Sequence, residues 1–269
     1  MNGRTKATLL ASLMSALLYG CGGGDATQDQ QPQDQSLQAV ADRAFIESAD
    51  TTKAPGELFD LSGFSLQLPT GSPNNPDTVS GSDLKTFKDS PYFYTNSSDN
   101  SMVMADPKQG YTTNGSQHPR VELRETSTWK TSGTNHLTAE VKVVKVPDHT
   151  TIGQIFQGSG PSKPLCELQV TSSGEVELLL EDSNEGSSGH EHPITSISIG
   201  SKFNYQLELS DKTITVIVAG VPKQFSLPSS FVGESFYFKA GDYDQSATEG
   251  KPLSTVDTVV QFYELKIEH

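Results

Sequence analysis

The chain has 269 residues, a formal net charge of −14 and a sequence pI of about 4.7. A balance this acidic argues against a nucleic-acid partner, and it means that any anionic ligand needs a local cluster of cations. The two cysteines, Cys21 and Cys166, leave no disulfide framework within a folded domain. No internal repeat or metal-ligand spacing stands out, and His190-Glu191-His192 lacks the helical spacing of a zinc protease.

In chain order, Arg4 and Lys6 precede an apolar run from Ala7 to Leu18 that is too short to span a membrane as a helix. The run ends in Leu18-Tyr19-Gly20-Cys21, which resembles a bacterial lipobox, so residues 1–20 are expected to be a removed signal peptide and Cys21 the lipidated residue. An ordinary secretion signal is the alternative, because Tyr19 is not the small residue usual there. Either way the protein is expected to be exported, anchored in the bacterial envelope at the outer membrane or secreted. A lipid is then its only membrane contact.

Residues 21–55 are Gly, Gln, Asp, Ser and Ala with few large apolar side chains. Such a stretch buries too little surface to offset its ordering entropy and reads as a flexible tether, with a short helix allowed around residues 37–46. Residues 56–269, roughly 210 in number, suit one all-β domain acting as a monomer.

Within that domain, the stretches 137–146, 175–181, 205–209, 213–219, 235–243 and 259–267 are short and rich in β-branched and aromatic residues, with Gly, Pro, Ser or Asp between them. They read as strands of a sandwich, jelly roll or closed barrel, and no segment sustains a helical period. Cys166 alternates in phase with Leu168 and Val170, which makes it a buried, inert thiol. The Ser- and Gly-rich segment 182–192, with His190 and His192, reads as a mobile surface loop, solvated or lying over a cleft. Trp129 falls in the core or at its rim.

Three segments carry polar groups on one strand face and apolar groups on the other. In His118-Pro119-Arg120-Val121-Glu122-Leu123-Arg124-Glu125, a period of two puts Arg120, Glu122 and Arg124 together and Val121 and Leu123 opposite. That row is either a surface salt-bridge ladder or a pair of guanidinium forks for carboxylates. In Gln154-Ile155-Phe156, Gln154 and Phe156 share a face. In the segment from Phe236 to Gln245, Tyr237, Lys239, Tyr243 and Gln245 fall on one side if the strand runs unbroken through Gly241. Lys239 is then expected to lower the Tyr243 phenol pKa.

Together these segments, RVELRE, QIF and YFKAGDYDQ, resemble the signature of the alginate lyases of polysaccharide lyase family 7: R-x-E-L-R-E, Q-I-H or Q-V-H, and Y-F-K-A-G-x-Y-x-Q in that order. Further similarity lies in FSLQLP at 64–69 and GYTT at 110–113, so the resemblance runs from about Leu58 to the C-terminus. It implies a β-jelly roll with a concave substrate cleft, an acidic polysaccharide as partner, no cofactor and no metal. By position it implies that Gln154, Arg120 and Arg124 neutralise a uronate carboxylate and that Tyr243 protonates the leaving oxygen. Glu122, Lys239, Phe156, Tyr237, Gln245 and His118 are expected to contact the substrate.

The family's catalytic histidine falls at Phe156, which cannot move a proton. In D-mannuronate and D-glucuronate the C5 hydrogen and O4 lie on the same side, so one tyrosine can serve as base and acid. In L-guluronate they lie on opposite sides. The expectation is therefore a mannuronate-preferring alginate lyase acting by β-elimination. The alternatives are a glucuronan or related uronan lyase, and a non-catalytic polysaccharide-binding lipoprotein.

Overall fold

A computed structural model describes residues 53–186 and 188–269. The expected signal peptide, Cys21, most of the tether and the helix around residues 37–46 lie outside them. Among the described residues, helical structure is limited to three short 3-10 turns, and none is long and apolar enough to cross a membrane.

Seventeen strands follow one another: β1 (Phe64–Ser72), β2 (Asn75–Ser80), β3 (Phe93–Thr95), β4 (Met102–Pro107), β5 (Gln109–Gly110), β6 (Val121–Glu125), β7 (Thr134–Lys145), β8 (His149–Gln157), β9 (Pro164–Thr171), β10 (Glu175–Glu181), β11 (Gly189–Ser196), β12 (Lys202–Ser210), β13 (Thr213–Val218), β14 (Val221–Ser226), β15 (Phe236–Asp244), β16 (Thr248–Glu249) and β17 (Val256–Glu268). One sheet has eight strands in the order β11-β10-β9-β8-β15-β6-β1-β2, and a second has seven in the order β14-β13-β12-β7-β17-β4-β3. The pairings within both are antiparallel, and the result is the expected β-jelly roll sandwich.

The local chemistry explains the elements. In β7, Leu137, Ala139, Val141 and Val143 are buried while the residues between them are partly exposed, the alternation of a strand with one face on a core. Between β13 and β14, Ala219 and Gly220 both have positive φ, 49° and 80°, the two-residue turn whose twist matches a hairpin. The core lies between the sheets: Leu66, Val121, Leu123, Ile155, Phe236 and Phe238 from the first meet Leu137, Val141, Leu207, Val216 and Phe262 from the second.

Strand β15 is the centre of the eight-stranded sheet, and all nine of its residues are buried. Its neighbours are β8 and β6, so the three polar segments become adjacent strands. Lys239 stands opposite both Arg124 and Gln154, and Tyr237 opposite Phe156. The strand is not unbroken, since a bulge between Ala240 and Tyr243 shifts its register against β8. Against β6 the register stays regular and sets Gly241 opposite Glu122. A Cβ at Gly241 would lie 2.4 Å from the Val121 carbonyl oxygen and 2.6 Å from the Glu122 Cα, so only glycine allows this approach.

The segment 182–192 differs from expectation. From Gly189 it is strand β11, paired with β10 at the sheet edge. There His190 Nε2 lies 2.9 Å from Asp182 and the His192 ring packs 4.9 Å from that of Phe225, because the hairpin pairing satisfies a backbone that composition alone assigns to a loop.

Candidate active site

The outer face of β6, β15, β8 and β9 forms the floor of a cleft of about 390 Å³ whose lining includes Arg120, Arg124, Gln154, Phe156, Lys163, Glu167, Tyr237, Lys239 and Tyr243. Four of these are cations and one is a carboxylate. The cleft is thus locally basic within an acidic protein, as a polyanion requires.

Glu122 organises the floor from beneath. Its Oε2 accepts from Arg120 Nη1 at 3.0 Å and Lys239 Nζ at 2.8 Å, and its Oε1 accepts from the Gln154 side-chain amide. Burial works to raise the Glu122 pKa, but Lys239 and Arg120 outweigh it and hold the carboxyl below its usual range. Burial lowers Lys239 to about 8, with Glu122 acting against the shift. Glu122 is 2 % exposed and lies below the lining, so its role is to hold Arg120, Lys239 and Gln154 in place. The Arg120–Glu122 pair is therefore a buried one rather than part of a surface ladder, and Arg124 stands outside it.

Tyr243 lies under Arg120, whose guanidinium carbon is 3.5 Å from the ring centroid. Ser116 joins the two, since its Oγ accepts from Arg120 Nη2 at 2.9 Å and lies 3.3 Å from the Tyr243 hydroxyl. The expected lowering of the phenol pKa by Lys239 is not what the structure gives. Burial raises it, and the cation that opposes the rise is Arg120. Tyr243 is thus a protonated donor at neutral pH, with a guanidinium in place to support the phenolate it leaves behind.

Phe156 is half-buried and stacks on Tyr237 at a centroid distance of 5.3 Å, while the Arg124 guanidinium covers the Tyr237 ring at 4.4 Å. Arg124 is exposed and makes no ion pair among the described residues, which leaves its fork free for a ligand carboxylate. The Phe156–Tyr237 stack gives an apolar platform beside it of the kind that packs against sugar C–H faces.

Two expected residues sit at the margin. His118 Nδ1 lies 2.6 Å from the Ala247 carbonyl oxygen, with its ring 6.1 Å from that of Tyr243. Gln245 donates to Thr151 Oγ1 at 3.2 Å and to the Tyr243 carbonyl. Neither lines the cleft. Glu125 points to the core side, where its Oε2 takes Trp129 Nε1 at 3.0 Å and the Phe238 amide at 2.9 Å; Trp129 is a core residue. Cys166 is fully buried, and burial pushes its thiol up to about 12.

Sequence reasoning passed over Glu167, Ser116 and Lys163. The signal for Glu167 was present, because it alternates with the core-facing Cys166 and Leu168 and must share the polar face with Gln169. Its Oε2 accepts from Thr151 Oγ1 at 2.8 Å and from Gln169 Nε2 at 3.3 Å, and burial raises its pKa. Among the described residues no group of His, Cys, Asp or Glu is arranged to hold a metal ion.

A jelly roll whose sheet face carries guanidiniums, an amide and a phenol in one open cleft defines a polysaccharide lyase of the uronate-cleaving kind. The family model for alginate lyase matches residues 59–269, and the chain belongs to that family, polysaccharide lyase family 7. Among solved structures it is similar to alginate lyase PA1167 from Pseudomonas aeruginosa, with 29% identity, 78% of this chain and 99% of that one covered, and a TM-score of 0.70. It is also similar to alginate lyase A1-II′, with 27% identity, 80% and 98% covered, and a TM-score of 0.70. A double variant of A1-II′ in complex with substrate GGMG gives 27% identity, 81% and 97% covered, and a TM-score of 0.71. No curated protein matches the chain.

Proposed function

We propose that this protein cleaves a uronic-acid polymer of the alginate type by β-elimination, with a preference for linkages at D-mannuronate and D-glucuronate as the alternative sugar. The observation that carries this reading is the placement of Arg120, Arg124, Gln154 and Tyr243 on one cleft face. Removing the C5 proton builds negative charge on the adjacent carboxylate, and the guanidinium and amide donors stabilise that charge more in the transition state than in the ground state. Tyr243 then protonates O4 as the C4–O4 bond breaks. A1-II′ variants in complex with the oligosaccharides GGMG and GGG support an acidic polysaccharide as the ligand.

The linkage preference rests on Phe156. With a phenyl ring at that position, the proton-transferring groups rise from one floor and serve a hydrogen and a leaving oxygen on the same side of the ring. The same residue favours a second reading, a binding protein that has kept the cleft and lost catalysis. Tyr243, held by Ser116 beneath Arg120, speaks for the enzyme, because a carboxylate-binding site has no use for a phenol so supported. The protein acts as a monomer outside the cytoplasm, carried there by residues 1–20 and held to the envelope through Cys21.

The test is ultraviolet absorbance of unsaturated uronate on separate polymannuronate, polyguluronate and glucuronan. A rise on the first or third with little on the second supports the reading. Equal kcat on polyguluronate contradicts the preference, and saturable binding without any rise supports the binding protein.

A further inference from the structure

Glu167 is the one carboxyl in the lining of the cleft. On β9 it is the partner of Gln154, which is the partner of Lys239, which is the partner of Arg124. It therefore occupies the next place in the row that holds the substrate-facing groups. Its setting is the reverse of Glu122's. Both of its hydrogen bonds, from Thr151 and Gln169, go to Oε2, and it makes no ion pair among the described residues. Its Oε1 accepts no hydrogen bond among the described residues and, with Glu167 in the cleft lining, opens on the cleft. Thr151, which fixes the carboxylate, is the strand partner of Tyr243.

We propose that Glu167 is the catalytic base of this cleft, taking the C5 proton while Tyr243 protonates the departing O4. The inference rests on the lyase reading given above and supplies the proton acceptor that Phe156 cannot be. The Glu167 carboxylate removes H5, the C–H electron pair forms the C4=C5 double bond, the C4–O4 bond breaks, and O4 takes the proton of the Tyr243 hydroxyl. Glu167 is left protonated and Tyr243 as phenolate beside Arg120, and solvent in the open cleft carries the proton back. Base and acid rise from one floor, which suits a hydrogen and a leaving oxygen on the same face of the ring.

Electrostatics agree with this role. Burial raises the Glu167 pKa, with Glu122 adding to the rise and Arg120 opposing it, so the carboxylate is a stronger base than an ordinary one. The charged and titratable groups facing it are Arg120, just ahead of β6, Glu122 on β6, and Lys239 and Tyr243 on β15. Its partners on β8 and β10, Gln154 and Leu179, do not titrate.

The experiment compares wild type, Glu167→Gln and Glu167→Ala on the polymer that the wild type cleaves, with kcat and KM separated across pH. Glu167→Gln is expected to lower kcat by about 10²- to 10⁴-fold with KM changed by less than about threefold. The acidic limb of its kcat profile disappears, and added formate restores activity to Glu167→Ala. A Glu167→Gln variant within about threefold of wild-type kcat that keeps the acidic limb overturns the base while leaving the lyase reading intact. Failure of formate to restore Glu167→Ala, where circular dichroism shows it folded, also overturns the base. A wild type that is inert on every polymer overturns the lyase reading itself, and the base with it.

Discussion

Lys239 Nζ lies 2.8 Å from Glu122 Oε2 with both side chains under a tenth exposed, so the cleft floor is built on a buried charge pair. Arg120 shares the same oxygen. Removing the carboxylate strands two buried cations, and Glu122→Gln is expected to cost about 3–5 kcal/mol of stability, measured by urea unfolding. The folded-state pKa of Glu122 is lowered, so its contribution is present above the unfolded carboxyl range and is lost as pH falls through the folded value. The variant is therefore expected to lose most above pH 5 and to show a flatter acid dependence. A loss below about 1 kcal/mol contradicts the anchoring role.

Lys239 gives a second pH signature. Its pKa of about 8 lies below the ordinary lysine value of about 10.4, so the folded chain releases this proton first and the group's contribution to stability rises between those values. In the cleft the consequence is opposite, because a positive charge disappears as pH rises through about 8. KM for the polymer is expected to climb above that pH in the wild type. In Lys239→Arg, whose guanidinium stays charged, KM stays flat to about pH 10. Identical profiles for the two contradict the assignment.

Phe156 sets linkage preference in this account. Phe156→His puts an imidazole between Tyr237 and Lys239, and it is expected to raise kcat/KM on polyguluronate relative to polymannuronate by at least about tenfold. An unchanged ratio means that position 156 does not govern stereochemistry.

Behind Tyr243, Asp106, Asp242 and Asp244 are all fully buried, and burial raises each pKa, that of Asp242 to about 7. A raised folded-state carboxyl stabilises at low pH and loses that contribution as pH rises through the folded value, here toward 7. Asp106→Asn removes one of the three ionisable carboxyls and gives its unpartnered Oδ1 position a donor. The urea midpoint is expected to rise at pH 8 by more than about 1 kcal/mol equivalent and to change little at pH 4. A lower midpoint at pH 8 contradicts this.

The fold and the row of site residues were legible because strand alternation is local. Val121 and Leu123 against Arg120, Glu122 and Arg124, and Phe236 and Phe238 against Tyr237 and Lys239, follow from a period of two. What alternation does not carry is what lies across the strand. Glu122 sinks beneath the cleft because Lys239 on β15 and Gln154 on β8, distant in sequence, reach it from the same side of β6, while Arg124 on the same face stays exposed. The Tyr243 phenol was expected to answer to Lys239, a near neighbour in sequence, yet Arg120, just ahead of β6, is the cation it meets and burial decides its pKa. His190 and His192 were assigned to a loop because Ser and Gly dominate their segment, and the pairing with β10 that makes them a strand is non-local. Nothing in the spacing of Asp106 relative to Asp242 and Asp244 reveals that the two sheets bring them together.

The most direct test of the central claim is the mass of the fragments formed from a defined oligomannuronate. Elimination divides the chain without adding water, so the two fragment masses are expected to sum to that of the parent, with one fragment carrying the unsaturated ring, and Tyr243→Phe is expected to give none. Fragments that together exceed the parent by one water mean hydrolysis, and an intact oligomer means no cleavage; either result contradicts the account.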